Sequence, residues 1–185
     1  PHPGRRDRGV RPHHRRHPVS VELFPVGGPG DGLVGVAATG DGAIWFGFGD
    51  SGRVGRRSVD GTVDLVDLGE GAQPVGVSPA TEDTVWVVDS AGNRLVHLGP
   101  GLRVVGETAV PSADALPLAA VTLPDGTTWF TEQFGEALGR IDILGRVEEF
   151  PVGAEGGPSG ITASGDSIWF SLQGHRPALG HVRGG

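Results

Sequence analysis

The chain has 185 residues, enough for one domain with a full hydrophobic core, and a formal charge of −7. It has no cysteine, which excludes disulfide frames and thiolate metal sites. No apolar run reaches the ~20 residues of a membrane-spanning helix, so no membrane partner is expected, and compartment stays open between cytoplasmic and secreted.

Residues 1–18 come first, with six arginines and four histidines against one aspartate. They lack apolar periodicity and are expected to form a disordered basic tail. Such charge attracts anionic surfaces without reading sequence, so nucleic acid is not the expected partner. The remainder is acidic, with nine arginines against 21 carboxylates.

From residue 19 the sequence is dominated by one repeating unit. GDGAIWFGFGDSGRVGR, TEDTVWVVDSAGNRLVH, PDGTTWFTEQFGEALGR and SGDSIWFSLQGHRPALGH align on Trp45, Trp86, Trp129 and Trp169, which are 41, 43 and 40 residues apart. A period of ~40–45 residues is that of a propeller blade. Within each unit a short apolar strand comes first, at 33–37, 74–78, 117–122 and 158–163. A tight turn such as Pro124-Asp125-Gly126 leads to the strand that holds the tryptophan. The third strands are predicted at 53–57, 94–98, 137–141 and 178–183, and more polar fourth strands at 63–68, 103–110 and 146–152. The second strands are apolar on both faces, as expected where each sheet is packed between two neighbours. The tryptophans are accordingly expected to fill the cores between blades.

The predicted fold class is all-β: a β-propeller of four four-stranded blades, at about 33–68, 74–110, 117–152 and 158–183. The last unit stops at its third strand. Val21-Glu22-Leu23-Phe24-Pro25-Val26 matches the fourth strand Val147-Glu148-Glu149-Phe150-Pro151-Val152, so residues 19–26 are expected to complete the last blade and close the ring. The alternatives are an open arc of a larger, seven-bladed propeller, or two arcs pairing, so monomer and homodimer both stand.

Two sets of candidate site residues recur by position. Arg56, His97, Arg140 and His181 follow their tryptophans by 11 or 12 residues. They form either a cationic belt for an acidic ligand or a set of sheet-face charges paired with nearby acids. Phe48, Asp89, Glu132 and Leu172 follow the tryptophans by three. Asp89 and Glu132 are the cation contacts if one exists, and solvated loop carboxylates on the plainer account. His175 sits where the fourth unit has one extra residue, a place suited to ligand contact or to tolerated variation. A small molecule or a protein on a propeller face is the expected partner.

The combined pattern is specific. It comprises Asp125-Gly126-Thr127-Thr128-Trp129-Phe130-Thr131-Glu132, Gly139-Arg140-Ile141, Glu148-Glu149-Phe150-Pro151 and Pro158-Ser159-Gly160-Ile161. Over residues 19–185 it resembles the virginiamycin B lyase (streptogramin lyase) family. That resemblance implies a seven-bladed propeller and magnesium-dependent elimination at the ester of a cyclic depsipeptide antibiotic, with a histidine as base. It places the key histidines at the variable position of Pro-x-Gly-Ile, with an acid just before one of them. Here those positions hold Val34, Val75, Leu118 and Ser159, and the residues two before them are Gly32, Gln73, Leu116 and Gly157. No catalytic residue and no metal ligand is therefore assigned. The expected function is a ligand- or partner-binding propeller without the catalytic histidines and without a cofactor. The alternative is a magnesium-dependent carbon–oxygen lyase, or a truncated remnant of one.

Overall fold

Glycine or a β-branched residue every few positions denies the chain a helical stripe, and tight polar turns send it back on itself. A computed structural model describes residues 19–153 and 156–183; the predicted basic tail, 1–18, lies outside them. The strands fall into four sequential groups. Blade 1 is β1 (Leu33–Ala38), β2 (Ile44–Phe48), β3 (Arg53–Arg57) and β4 (Val63–Asp67). Blade 2 is β5 (Pro74–Pro79), β6 (Val85–Asp89), β7 (Arg94–Gly99) and β8 (Arg103–Ala109). Blade 3 is β9 (Pro117–Thr122), β10 (Thr128–Glu132), β11 (Ala137–Ile141) and β12 (Val147–Pro151). Blade 4 is β13 (Pro158–Ser164), β14 (Ser167–Leu172) and β15 (Ala178–Val182). Each group is one antiparallel meander in chain order, the propeller-blade arrangement expected from the repeats.

The blades stack in series, with β1 against β5, β5 against β9 and β9 against β13. Close approach of these strands explains the glycine of Pro-x-Gly. A Cβ on Gly76 would lie 2.6 Å from the Leu118 carbonyl oxygen. Between successive blades lie three apolar cores. Trp45 and Val54 pack on Val85, Val87 and Leu98; Trp86 joins Val88 and Leu95 against Phe130 and Ile141; Trp129 and Leu138 pack on Ile168. Three of the four indoles thus fill the spaces between blades, as their spacing predicts, and Trp169 lies on the blade with no following neighbour among the described residues.

The fourth blade corrects one expectation. Its sheet has three strands, and residues 19–26 form no strand among the described residues. The segment is led elsewhere by a turn whose anchor is Asp31, which accepts from Gly28 N at 2.6 Å and pairs with Arg53 on β3. Phe24 then lies over the outer face of blade 1, its ring centroid 4.2 Å from the Arg57 guanidinium carbon. Both end blades keep apolar surface in the open, with Val36 of β1 71% exposed and Leu179 of β15 70% exposed. The described residues therefore form an arc of four blades, the alternative named above.

Candidate functional site

One end of the arc carries equivalent positions from every blade. The N–H groups of Gly49, Ser90, Gln133 and Gln173 donate to the carbonyls of Gly32, Gln73, Leu116 and Gly157 at 2.9–3.0 Å. These bonds fix each second strand beside the entry to its inner strand. The side chains gathered there are mostly neutral. Gln133 Nε2 donates to Gln173 Oε1 at 3.0 Å, and the Ser159 and Ser171 hydroxyls are 3.1 Å apart. A cleft of about 850 Å³ opens among the loops of blades 3 and 4, with Glu136, Pro151 and His175 on its walls. Of the predicted site residues, His175 is the one that reaches a cleft at this end.

The recurring cations do something else. Strand register places Arg56, His97, Arg140 and His181 directly opposite Trp45, Trp86, Trp129 and Trp169. Each covers its own blade's indole. The His97 and His181 rings stack on Trp86 and Trp169 with centroids 4.5 and 4.2 Å apart. The Arg56 and Arg140 guanidinium carbons sit 5.6 and 5.8 Å from theirs. Such contacts contribute ~0.5–1 kcal/mol at exposed sites and more when desolvated. Arg56 also pairs with Asp41, Arg140 with Glu148, and His97 Nε2 meets Thr84 Oγ1 at 2.8 Å. Burial holds the His97 ring below the usual imidazole pKa. The four side chains are spread one to a blade and each lies over its own indole; Arg56 and Arg140 are paired with acids, whereas His97 meets a hydroxyl and His181 Nε2 has no hydrogen-bond partner.

Asp89 and Glu132 are not solvated loop carboxylates. Both have no solvent exposure. Each is the last residue of its second strand, where the neighbouring blade and the adjoining turn close over it. Asp89 accepts from Gln73 N at 2.8 Å, Gly92 N at 2.9 Å and Arg94 Nε at 2.9 Å. Arg94 continues to Glu107 at 2.7 Å and to the Leu68 carbonyl at 2.7 Å, which ties blade 2 to blade 1. Arg94 was absent from the sequence candidates, although it faces Asp89 across the hairpin.

Glu132 stands in the same register opposite Ala137, so no guanidinium reaches it. Neither of its oxygens has a hydrogen-bond partner. Burial first, and then the Glu149 carboxylate, raise its pKa to about 7. Glu149 is itself held by Ser112, accepting from its N at 2.8 Å and its Oγ at 2.9 Å. Glu149 lies two strands away and has no local sequence signal linking it to Glu132.

Magnesium favours near-octahedral oxygen ligands with at least one carboxylate. The inner-strand positions Val34, Val75 and Leu118 offer none, and Ser159 offers a hydroxyl. Asp89 is already satisfied by three donors, and Glu132 is sealed from solvent. Among the described residues no three His, Asp or Glu side chains gather into a metal-sized group. The donor set present does not fit the metal.

The virginiamycin B lyase family model matches residues 15–181. The virginiamycin B lyase of Nocardia farcinica (strain IFM 10152) is 35% identical over 118 residues, 64% of this chain and 41% of that protein. That of Bordetella parapertussis (strain 12822 / ATCC BAA-587 / NCTC 13253) is 46% identical over 50 residues, 27% of this chain and 17% of that protein. Among solved structures, a streptogramin B lyase superposes with a TM-score of 0.75 at 24% identity, covering 85% of this chain and 56% of that one. Virginiamycin B lyase from Staphylococcus aureus superposes with a TM-score of 0.72 at 22% identity, covering 82% and 55%. The chain spans about half the length, or less, of the relatives it matches. Its repeats, blades and family match agree: the chain belongs to the virginiamycin B lyase family.

Proposed function

We propose that this arc is a binding propeller of the lyase family, which holds a streptogramin-type cyclic depsipeptide without opening it. A solved Staphylococcus aureus virginiamycin B lyase, catalytically inactive, carries quinupristin. The ligand class comes from that relative, and the chemistry of the face is compatible with it. Amides and hydroxyls at Gln133, Gln173, Ser159 and Ser171 suit a neutral, amide-rich ring, and His175 adds a donor or acceptor at the cleft.

The observation that carries the reading is the identity of the inner-strand residues. Opening a lactone by elimination needs a base for a carbon-bound proton and positive charge for the departing carboxylate. Val34, Val75 and Leu118 can supply neither, and the Ser159 hydroxyl is a poor base at neutral pH. Titrating quinupristin into the protein, with tryptophan fluorescence as readout, should show saturable binding. Chromatography of the same mixtures, with and without magnesium, should show the cyclic compound unchanged. A ring-opened isomer of unchanged mass that forms with magnesium and vanishes with chelator would overturn the proposal. His175→Ala should weaken binding about threefold to tenfold, the range for one lost hydrogen bond.

A second reading is favoured by coverage, since the solved lyases are nearly twice as long as the matched part of this chain. In it the base and metal donors stand on further blades, and this arc supplies only binding surface. It predicts ring opening only when such blades are supplied together with the arc.

A further inference from the structure

We propose that residues 21–25 form the fourth strand of blade 4 in a second copy of this chain, so that two arcs close head to tail into one ring. The template for the pairing lies within the chain. β11 reads Ala137-Leu138-Gly139-Arg140-Ile141 and pairs with β12, Val147-Glu148-Glu149-Phe150-Pro151. β15 reads Ala178-Leu179-Gly180-His181-Val182, and residues 21–25 read Val21-Glu22-Leu23-Phe24-Pro25. Both members of the strand pair recur, yet the outer edge of β15 has no partner among the described residues.

Side chains agree with this register. In the template, Arg140 donates to Glu148, and the Phe150 ring lies against Trp129 with centroids 5.3 Å apart. Transferred to β15, the same register sets Glu22 opposite His181 and Phe24 beside Trp169. His181 Nε2 is buried and without a hydrogen-bond partner. The Glu22 carboxylate is the acceptor that the template places there.

The two end faces also match. Three times within the arc, the tryptophan face of one blade packs on the opposite face of the next. The Trp169 face of blade 4 and the Leu33, Val36 and Ile44 face of blade 1 are the unused halves of that same interface. Leu33, Val36 and Ile44 are 58%, 71% and 36% exposed. Heterologous contacts of this kind generate rings when the rotation closes, and strand addition supplies backbone hydrogen bonds.

The segment's position selects a second copy over the same chain. Phe24 is seated on blade 1, with Ile44, Phe46 and Arg57 in the same cleft. This is where the outer strand of a preceding blade belongs, just as Val66 and Leu68 of blade 1 pack toward blade 2. Blade 4 of the same chain stands at the other end of the series, so the blade 4 that meets the segment is a partner's.

Sedimentation across a concentration series tests the assembly. The expected species has twice the 19.0 kDa of one chain. Glu22→Pro removes the backbone donor that this register turns toward β15, as that of Glu148 is turned toward β11, from an exposed residue outside every strand, so the blades should fold while the dimer is lost. A second measurement uses the absence of cysteine. Directly opposed residues of an antiparallel pair have Cβ atoms ~4.5–5.5 Å apart, near disulfide range. Glu22→Cys protein mixed with His181→Cys protein should therefore give a covalent dimer on mild oxidation, which neither gives alone. A monomer at every concentration, a larger assembly, a dimer that survives Glu22→Pro, or a disulfide formed only within the doubly substituted chain would each overturn the proposal.

Discussion

Glu132 and Asp89 occupy the same place in consecutive blades, and one residue across the hairpin separates their chemistry. Asp89 faces Arg94 and is a satisfied ion; Glu132 faces Ala137 and is not. The folded protein holds the Glu132 proton up to about pH 7, whereas the unfolded chain releases it near 4.5. Stability therefore falls as pH rises through that window, by a total on the order of 3 kcal/mol above it. Glu132→Gln keeps the shape and offers Glu149 a donor. It should raise stability at pH 8 by roughly 1–3 kcal/mol and give no gain at pH 4. Urea melts at the two pH values check this, and an equal effect at both would refute the shifted carboxyl. Arg94→Met acts in the other direction, leaving Asp89 buried without its cation. A loss of roughly 2–4 kcal/mol is expected, again from urea melts, and a loss under 1 kcal/mol would show that the two backbone donors suffice. At this scale the sequence located the acids but misjudged their surroundings. Position after the tryptophan is legible in a repeat, while burial depends on the neighbouring blade and on Glu149, which the repeat does not mark.

Strands were more legible, because period and turn chemistry act locally. Trp45, Trp86, Trp129 and Trp169 mark four second strands, and each lies in one. What the pattern concealed is a cross-strand pair that recurs in three of the four blades. Phe46, Phe130 and Phe170 lie over Gly55, Gly139 and Gly180, directly opposite on the third strand. A Cβ on Gly139 would sit 2.0 Å from the Phe130 ring tip, and one on Gly180 would sit 2.1 Å from that of Phe170. Blade 2 solves the same problem with Val87 opposite Val96. Large over absent and medium beside medium fill similar volume, so the two solutions should interchange as pairs. Gly139→Val alone should cost about 1–3 kcal/mol from overpacking. Phe130→Val alone leaves a void and should cost a similar amount. The double substitution should recover at least 1 kcal/mol of the combined loss in a double-mutant cycle. Strict additivity would mean that the ring and the glycine are not packed as a unit.

At the scale of the whole molecule, the sequence foretold the number of blades and failed on how the chain ends are used. Val21–Val26 reads as a fourth strand, but the Asp31 anchor to Arg53 decides which blade it lies on, and no periodicity encodes that contact. Among the described residues the resulting architecture is serial, with the main contacts between successive blades running along β1, β5, β9 and β13. Stability in such arrays is close to a sum of unit and interface contributions. The inner blades have two covered faces, and Val85, Val87, Leu95, Phe130 and Glu132 are fully buried there. Blade 4 has one covered face, and the outer face of blade 1 is covered only in part, by residues 22–26. Hydrogen exchange in the monomeric Glu22→Pro protein should therefore be graded. β6, β7, β10 and β11 should exchange slowest, and β1 and β15 should be faster by tenfold or more, since each apolar interface lost removes more than ~1.4 kcal/mol of local protection. Joining the arcs into a ring gives every blade two neighbours, so the unsubstituted protein should lose most of that gradient at concentrations where it is dimeric. Uniform protection in the monomer would mean that the four blades open together, and that cooperativity runs through the arc as a single unit.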